Sequence, residues 1–311
     1  MIEEHSQDHD GRQSAEEPLS QLEKFQEQQH DADPEENMNA AGLRRASEDK
    51  LPGISTIERR DLLALHENVA RGTFAKVSVG LYGGIYVAVK KFKREGNLEH
   101  AEWEVEILAK VKHPNISMFI GCDLTRPPYL IITRFVGDPN VQPLTVKAAL
   151  EQSTFPLLVP FWIRILSQVA DALLYLHMNA KVIHNDIKSD NIVLEQSPVN
   201  DVGVFNATIV DFGKSSIVGL HARGPSSPIT TDAGESHRKR YPHVAPELWR
   251  GARSTSSSDM YSYGHLLEEI GAMLHDNTMK SFYVQCKDLD RTKRPSAGSS
   301  LVYLNSYKFR W

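Results

Sequence analysis

Four short stretches of this chain carry side chains whose types and spacing could do chemistry. Lys90 stands in GGIYVAVKKFK, Glu104 in LEHAEWEVEILAKVK, Asp186, Lys188 and Asn191 in VIHNDIKSDNIVL, and Asp211 in IVDFGKS. Carboxylate and amide oxygens suit a hard cation. An ammonium meets negative charge, and a positioned carboxylate can accept a proton.

The elements around these residues say how they would be held. ENVARGTFAKVSVGLYGGIYVAVKKFK reads as three strands, with Val69, Val77, Val79, Val87 and Val89 in extended runs and a turn at Gly83 and Gly84. On the third strand the two-residue period puts Ala88 and Lys90 on one face and Val87 and Val89 on the other. LEHAEWEVEILAKVK repeats Leu98, Ala101, Val105, Leu108 and Val111 at helical spacing, with Glu104 on or beside that apolar face. A carboxylate there needs a partner, and Lys90 on the preceding strand is the candidate. HPNI at 113–116 ends the helix, because proline disfavours helical geometry in the residue before it. YLIITRF at 129–135 is a further strand. Residues 160–178 are apolar nearly all round, the pattern of a buried helix. SSSDMYSYGHLLEEIGAML is another helix, capped by one of Ser256 to Ser258, with Asp259 in its first turn.

In their order along the chain, VAVK, HNDIKSDN, DFG, APE and a late Arg-Pro resemble the catalytic domain of a eukaryotic protein kinase over about residues 62–306. The resemblance implies an α+β, bilobed protein-kinase-like fold: a small antiparallel β-sheet N-lobe with one main helix, and a larger, mostly helical C-lobe. It implies ATP and Mg2+ as cofactors and phosphoryl transfer as the reaction. Lys90 would grip the α- and β-phosphates and Glu104 would hold Lys90. Asp211 and Asn191 would bind magnesium. Asp186 would orient and deprotonate the substrate hydroxyl, with Lys188 meeting the charge of the transferred group. Ala70, Gly72, Ala75, Val77, Ala88, Thr133, Val136 and Val193 fall at nucleotide-binding positions, Thr133 at the back of the adenine pocket. Phe212, His184, Leu108 and Phe119 align with an apolar column joining the lobes, and Asp259 with the carboxylate that braces the catalytic loop. Glu247 and Arg294 align with a buried ion pair.

The chain departs from the family pattern in four places. The glycine-rich loop appears as Ala70, Gly72 and Ala75, which removes part of the freedom that brings backbone amides close to phosphate. Asn185 replaces the arginine that reads an activation-segment phosphate, so phosphorylation there should matter less for switching. RKRYPHVAPE puts Arg240 and His243 where threonine and tyrosine are usual, and the docking helix before Arg294 is curtailed. Lys188 favours Ser/Thr hydroxyls of protein substrates over Tyr. YGGIYVAVKKF, HPNISMFIGC and DIKSDNIVL resemble the tyrosine-kinase-like branch that contains Raf and the mixed-lineage kinases. The alternative reading is a pseudokinase scaffold that binds nucleotide and partner proteins without efficient transfer.

Composition frames these readings. The 311 residues are 24% charged and 41% apolar, as in a soluble chain with a sizeable core. Residues 1–50 hold 14 Asp and Glu against 5 Lys and Arg, while the rest carries a net charge of +4. Residues 1–60 therefore read as an acidic, disordered tail, and 61–311 as the kinase domain, with an N-lobe over 61–136 and a C-lobe over 137–311. Ser47, in LRRAS, has the flanks of a basophilic phosphorylation site. Ser226, Ser227, Thr230, Thr231 and Ser236 lie in the activation segment. No apolar run approaches a membrane span, no nucleic-acid motif appears, and Cys122 and Cys286 form no zinc or disulfide pattern. A reducing compartment, cytoplasmic or nuclear, is expected. The oligomeric state is not written in the sequence.

Overall fold

A computed structural model describes residues 54–71, 75–93, 97–138, 142–152, 158–197, 204–219, 231–275 and 277–307. Contacts divide the chain into Met1–Lys50 and Leu51–Trp311, and all described residues lie in the second unit. The acidic tail to residue 50, Ser47 included, and Gly72, Ser226, Ser227 and Thr230 fall outside them, as does the Thr231 side chain.

Strands β1 (Leu62–Arg71), β2 (Ala75–Tyr82), β3 (Ile85–Phe92), β4 (Phe119–Asp123) and β5 (Tyr129–Arg134) form an antiparallel sheet in the order β1-β2-β3-β5-β4. Gly83 and Gly84, at φ 55° and 81°, make the two-residue turn between β2 and β3, a turn that needs positive φ at both positions. Val87 and Val89 face a small cluster with Ile57, Leu130 and Ile132. On the other face, register sets Val77 opposite Lys90 and Ala88 opposite Thr133. Helix α1 (Leu98–Lys110) buries Ala101, Val105, Ile107 and Leu108, and Glu104 with them.

Residues 55–57, which the sequence reading assigned to the tail, pair with the sheet. Ile57 donates its N–H to Cys122 O and Cys122 donates to Ser55 O, both at 3.0 Å, so residues 55–57 extend the sheet beyond β4. Arg59 then pairs with Asp123 and donates to the carbonyls of Arg126 and Pro128. Backbone pairing holds this segment, which is why hydropathy did not reveal it.

The C-lobe is built on α2 (Val146–Glu151), α3 (Val159–Tyr175), α5 (Ser256–Met273), α6 (Lys280–Cys286) and α7 (Ala297–Asn305), with α4 (Thr231–Arg240) in the activation segment. Trp162, Leu166, Val169 and Leu173 of α3 are at most 1% exposed, as are Tyr263, Leu266 and Ile270 of α5. The Tyr263 hydroxyl reaches Leu166 O at 2.9 Å. Fully burying a side chain of this size contributes about 1.5–3 kcal/mol. Within Val159–Ala180 an 18-residue window has mean hydropathy 1.3, and half of it is buried within the fold, a pattern that a core helix shares with a membrane span.

Two details differ from the sequence reading. The cap of α5 is Thr255, whose N–H donates to Ser258 Oγ at 3.2 Å, the arm of a capping box supplied from the third helical position. TDAGESHRKR, to which the sequence reading assigned no element, is helical, with Glu235 and Lys239 paired one turn apart.

Between the lobes run two short ribbons, β6 (Val182–Ile183) with β9 (Ser216–Ile217), and β7 (Ile192–Gln196) with β8 (Phe205–Ile209). Ser117 N donates to Ile209 O at 2.9 Å and Ile209 N to Asn115 O at 2.8 Å, fixing β8 against the loop before β4. One core cluster runs through both lobes, from Phe92, Ala101 and Leu108 to Phe212, Leu173 and Tyr263.

Candidate active site

The β3 face and the α1 face meet as their periodicities require. Lys90 Nζ lies 2.8 and 2.7 Å from the two Glu104 carboxylate oxygens and 2.8 Å from Asp211 Oδ1. Burial opposes the charge on Lys90, but the Glu104 and Asp211 carboxylates outweigh it and raise its proton affinity above that of an ordinary lysine. A side chain on Gly213 would place its Cβ 3.1 Å from Lys90 Nζ and 3.3 Å from Glu104 Oε2, so glycine keeps this cluster compact.

The loop between β6 and β7 holds Asp186, 3% exposed, under four side-chain donors. Asn191 Nδ2 reaches Oδ2 at 3.0 Å and Lys188 Nζ lies 3.4 Å from it, while Lys214 Nζ and His243 Nε2 are 3.1 and 3.3 Å from Oδ1. Burial favours the neutral acid. The His243 hydrogen bond and the Lys214 and Lys188 charges outweigh burial and hold the carboxyl far below the usual range.

The backbone of this loop is set by Asp259 from inside α5. Its Oδ2 accepts from His184 N and its Oδ1 from Asn185 N, each at 2.8 Å, and His177 Nε2 is 2.9 Å from Oδ2. Asn185 and Asp211 sit at φ 67° and 63°, the left-handed region that Asn and Asp tolerate. Phe212 is fully buried, its ring edge-on to His184 with centroids 4.8 Å apart. Leu108 is buried in the same core cluster as Phe212, and Phe119 packs against that cluster.

Asn185, where the family has arginine, donates to Lys214 O at 2.8 Å and to Ser216 Oγ at 3.0 Å. Trp103 of α1 donates to Ser215 O at 2.8 Å, so helix and post-DFG segment are joined directly. At the end of the activation segment both Glu247 oxygens accept from Arg294 at 2.7 Å, and Arg294 also donates to Ser257 O. Ser236, Arg238, Lys239 and Arg240 are exposed on α4.

Val77, Ala88, Lys90 and Thr133 share one sheet face, since directly opposed antiparallel residues point the same way. Val136 and Val193 are each 6% exposed, Val193 on β7. Ala70 and Ala75 lie at the ends of β1 and β2 that flank the undescribed Gly72. A cavity of about 590 Å3 opens behind Leu108, Phe119 and Val136, and Lys90, Asp186 and Asp211 are not among its walls.

An oxygen set of Asp211 and Asn191 fits magnesium, which takes one or two carboxylates and leaves the remaining positions to water and phosphate. Asn191 spends its amide N–H groups on Asp186 O and Oδ2, so its carbonyl oxygen is the side-chain atom with lone pairs to offer. Lys214, His243, Trp103 and Asn185 are the contacts that sequence reasoning missed. Lys214 directly follows DFG and His243 stood out as a departure, but neither signal names its partner.

Residues 63–303 match the family model for protein tyrosine and serine/threonine kinases. Similar proteins include a RasGEF domain-containing serine/threonine-protein kinase of Dictyostelium discoideum, 29% identical over 226 residues, covering 70% of this chain and 21% of its own length. SIS8, a probable serine/threonine-protein kinase of Arabidopsis thaliana, is 30% identical over 214 residues, 67% of this chain and 19% of its own. A probable serine/threonine-protein kinase of Dictyostelium discoideum is 27% identical over 222 residues, 70% of this chain and 39% of its own. The chain thus spans less than half the length of these relatives.

Proposed function

Because the chain belongs to the protein tyrosine and serine/threonine kinase family, we propose that it transfers the γ-phosphate of ATP to Ser/Thr hydroxyls of protein substrates. The observation that carries this reading is the meeting of Lys90, Glu104 and Asp211 within 2.8 Å, next to a catalytic loop that holds Asp186, Lys188 and Asn191.

Each residue then has a task. Lys90, kept charged by Glu104, meets the phosphates that approach along the β3 face, and Val77, Ala88, Thr133, Val136 and Val193 line the adenine end. Asp211 and Asn191 offer oxygens to magnesium, which when bound neutralises the charge between the β- and γ-phosphates. Asp186 aims the hydroxyl. A carboxylate held so low is a poor base toward a free alcohol, so it accepts the proton as the oxygen loses electron density to phosphorus. Lys188 meets the charge on the moving phosphoryl group. Lys188 also supports Ser/Thr acceptors, and the sequence likenesses support a place near the Raf and mixed-lineage branch. Two buried free thiols support a reducing, cytoplasmic setting.

Labelled ATP and magnesium, with the full chain and a generic protein acceptor, test this reading. Transfer should exceed that of Asp186→Asn by about 10²-fold or more, the span of general base catalysis. Equal transfer by the two proteins favours the scaffold reading instead.

A further inference from the structure

His243 is used by none of the steps above, yet its imidazole is the most enclosed donor on Asp186 Oδ1 among the described residues. The His243 side chain is 8% exposed, whereas Lys214, which shares that oxygen, is 63% exposed on a long flexible stem. The carboxylate can only accept, so Nε2 carries the hydrogen across the 3.3 Å contact. The backbone behind the ring is pinned, because the buried Ser262 hydroxyl of α5 donates to His243 O at 2.7 Å. Four residues on, Glu247 is locked to Arg294.

We infer that His243 is a positioning residue that fixes the plane of the Asp186 carboxylate from the segment that receives the substrate. This rests on the kinase reading and deepens it: the hydroxyl acceptor is oriented only while the end of the activation segment is seated. Loss of the donor leaves Oδ1 with only the exposed Lys214 contact, which loosens the plane of the carboxylate and lowers turnover. ATP affinity should change little, because the phosphate-facing residues Lys90 and Asp211 are on other elements.

The test compares kcat and the KM for ATP in the full-length wild type, His243→Met, His243→Gln and the Asp186→Asn control. Glutamine can donate at similar reach, and methionine has similar length with no donor. His243→Met should lower kcat about 10- to 100-fold, the scale of a small misplacement of reacting groups, with the KM for ATP within about twofold, and His243→Gln should recover most of the loss. Wild-type turnover in His243→Met, or equal loss in both variants, overturns the inference while leaving the kinase reading intact. Thermal midpoints are measured alongside; if His243→Met melts early, His243→Phe takes its place under the same criteria. Wild-type transfer no greater than that of Asp186→Asn ends the kinase reading, and this inference with it.

Discussion

Two ionised groups at this site are held against the pull of burial, Lys90 by two carboxylates and Asp186 by several donors. The pairing of Lys90 with Glu104 was legible because each lies on an apolar face where a lone charge would be costly, so the sequence itself asked for a partner. The contacts of Lys214 and His243 with Asp186 were not legible. They come from a segment 28 to 57 residues away that has no periodicity to orient it. The cysteines give a residue-scale prediction. Burial pushes the Cys122 thiol up to about 11 and Cys286 to about 12, against about 8.5 for a free cysteine. At pH 8 the native chain should therefore leave both thiols unreacted toward a disulfide reagent over a time in which denatured protein titrates two. Rapid native labelling would contradict the packing around both.

At the scale of elements, the end of the activation segment is tied to the loop before α7 by Glu247 and Arg294, whose guanidinium side chain is wholly buried. Arg294→Met should destabilise the domain by about 3–5 kcal/mol, because it strands the Glu247 charge, as read from denaturant midpoints. Burial alone would raise the Glu247 proton affinity, but Arg294 and Ser258 lower it below the usual 4.5. The sign follows: the stability this group contributes is present above about pH 4.5 and is lost as pH falls through the lower folded value. Glu247→Gln should flatten the stability profile in that acid range, and an unchanged slope would contradict the assignment. Strands β1 to β3, α1 and α3 were legible from period and turn residues. Helix α4 was not, since its ten residues carry no apolar stripe, and the cap of α5 fell just before the serines expected to supply it because five consecutive hydroxyl residues, 254–258, compete for the role.

For the whole molecule, the order of kinase-like segments made both lobes readable, while the docking of residues 55–57 on β4 was hidden in backbone hydrogen bonds. Gly121 records that docking. A Cβ there would lie 2.7 Å from Ile57 Cγ2 and 2.8 Å from Ser55 O. Gly121→Ala should cost about 1–3 kcal/mol by overpacking, and Ile57→Ala about 2–5 kcal/mol by the cavity it leaves. Because the two changes share a contact, the double variant should lose less than the sum; strict additivity in thermal or denaturant melts would argue that residues 55–57 lie elsewhere. The docked segment has a further consequence. It blunts one margin of the five-stranded sheet with a stretch of three residues, too short to template a neighbour, and leaves the β1 margin as the longer open one among the described strands. Two molecules joined edge to edge along β1 would use up the longer open margin of this sheet, and the short stretch at residues 55–57 would offer little purchase to a third.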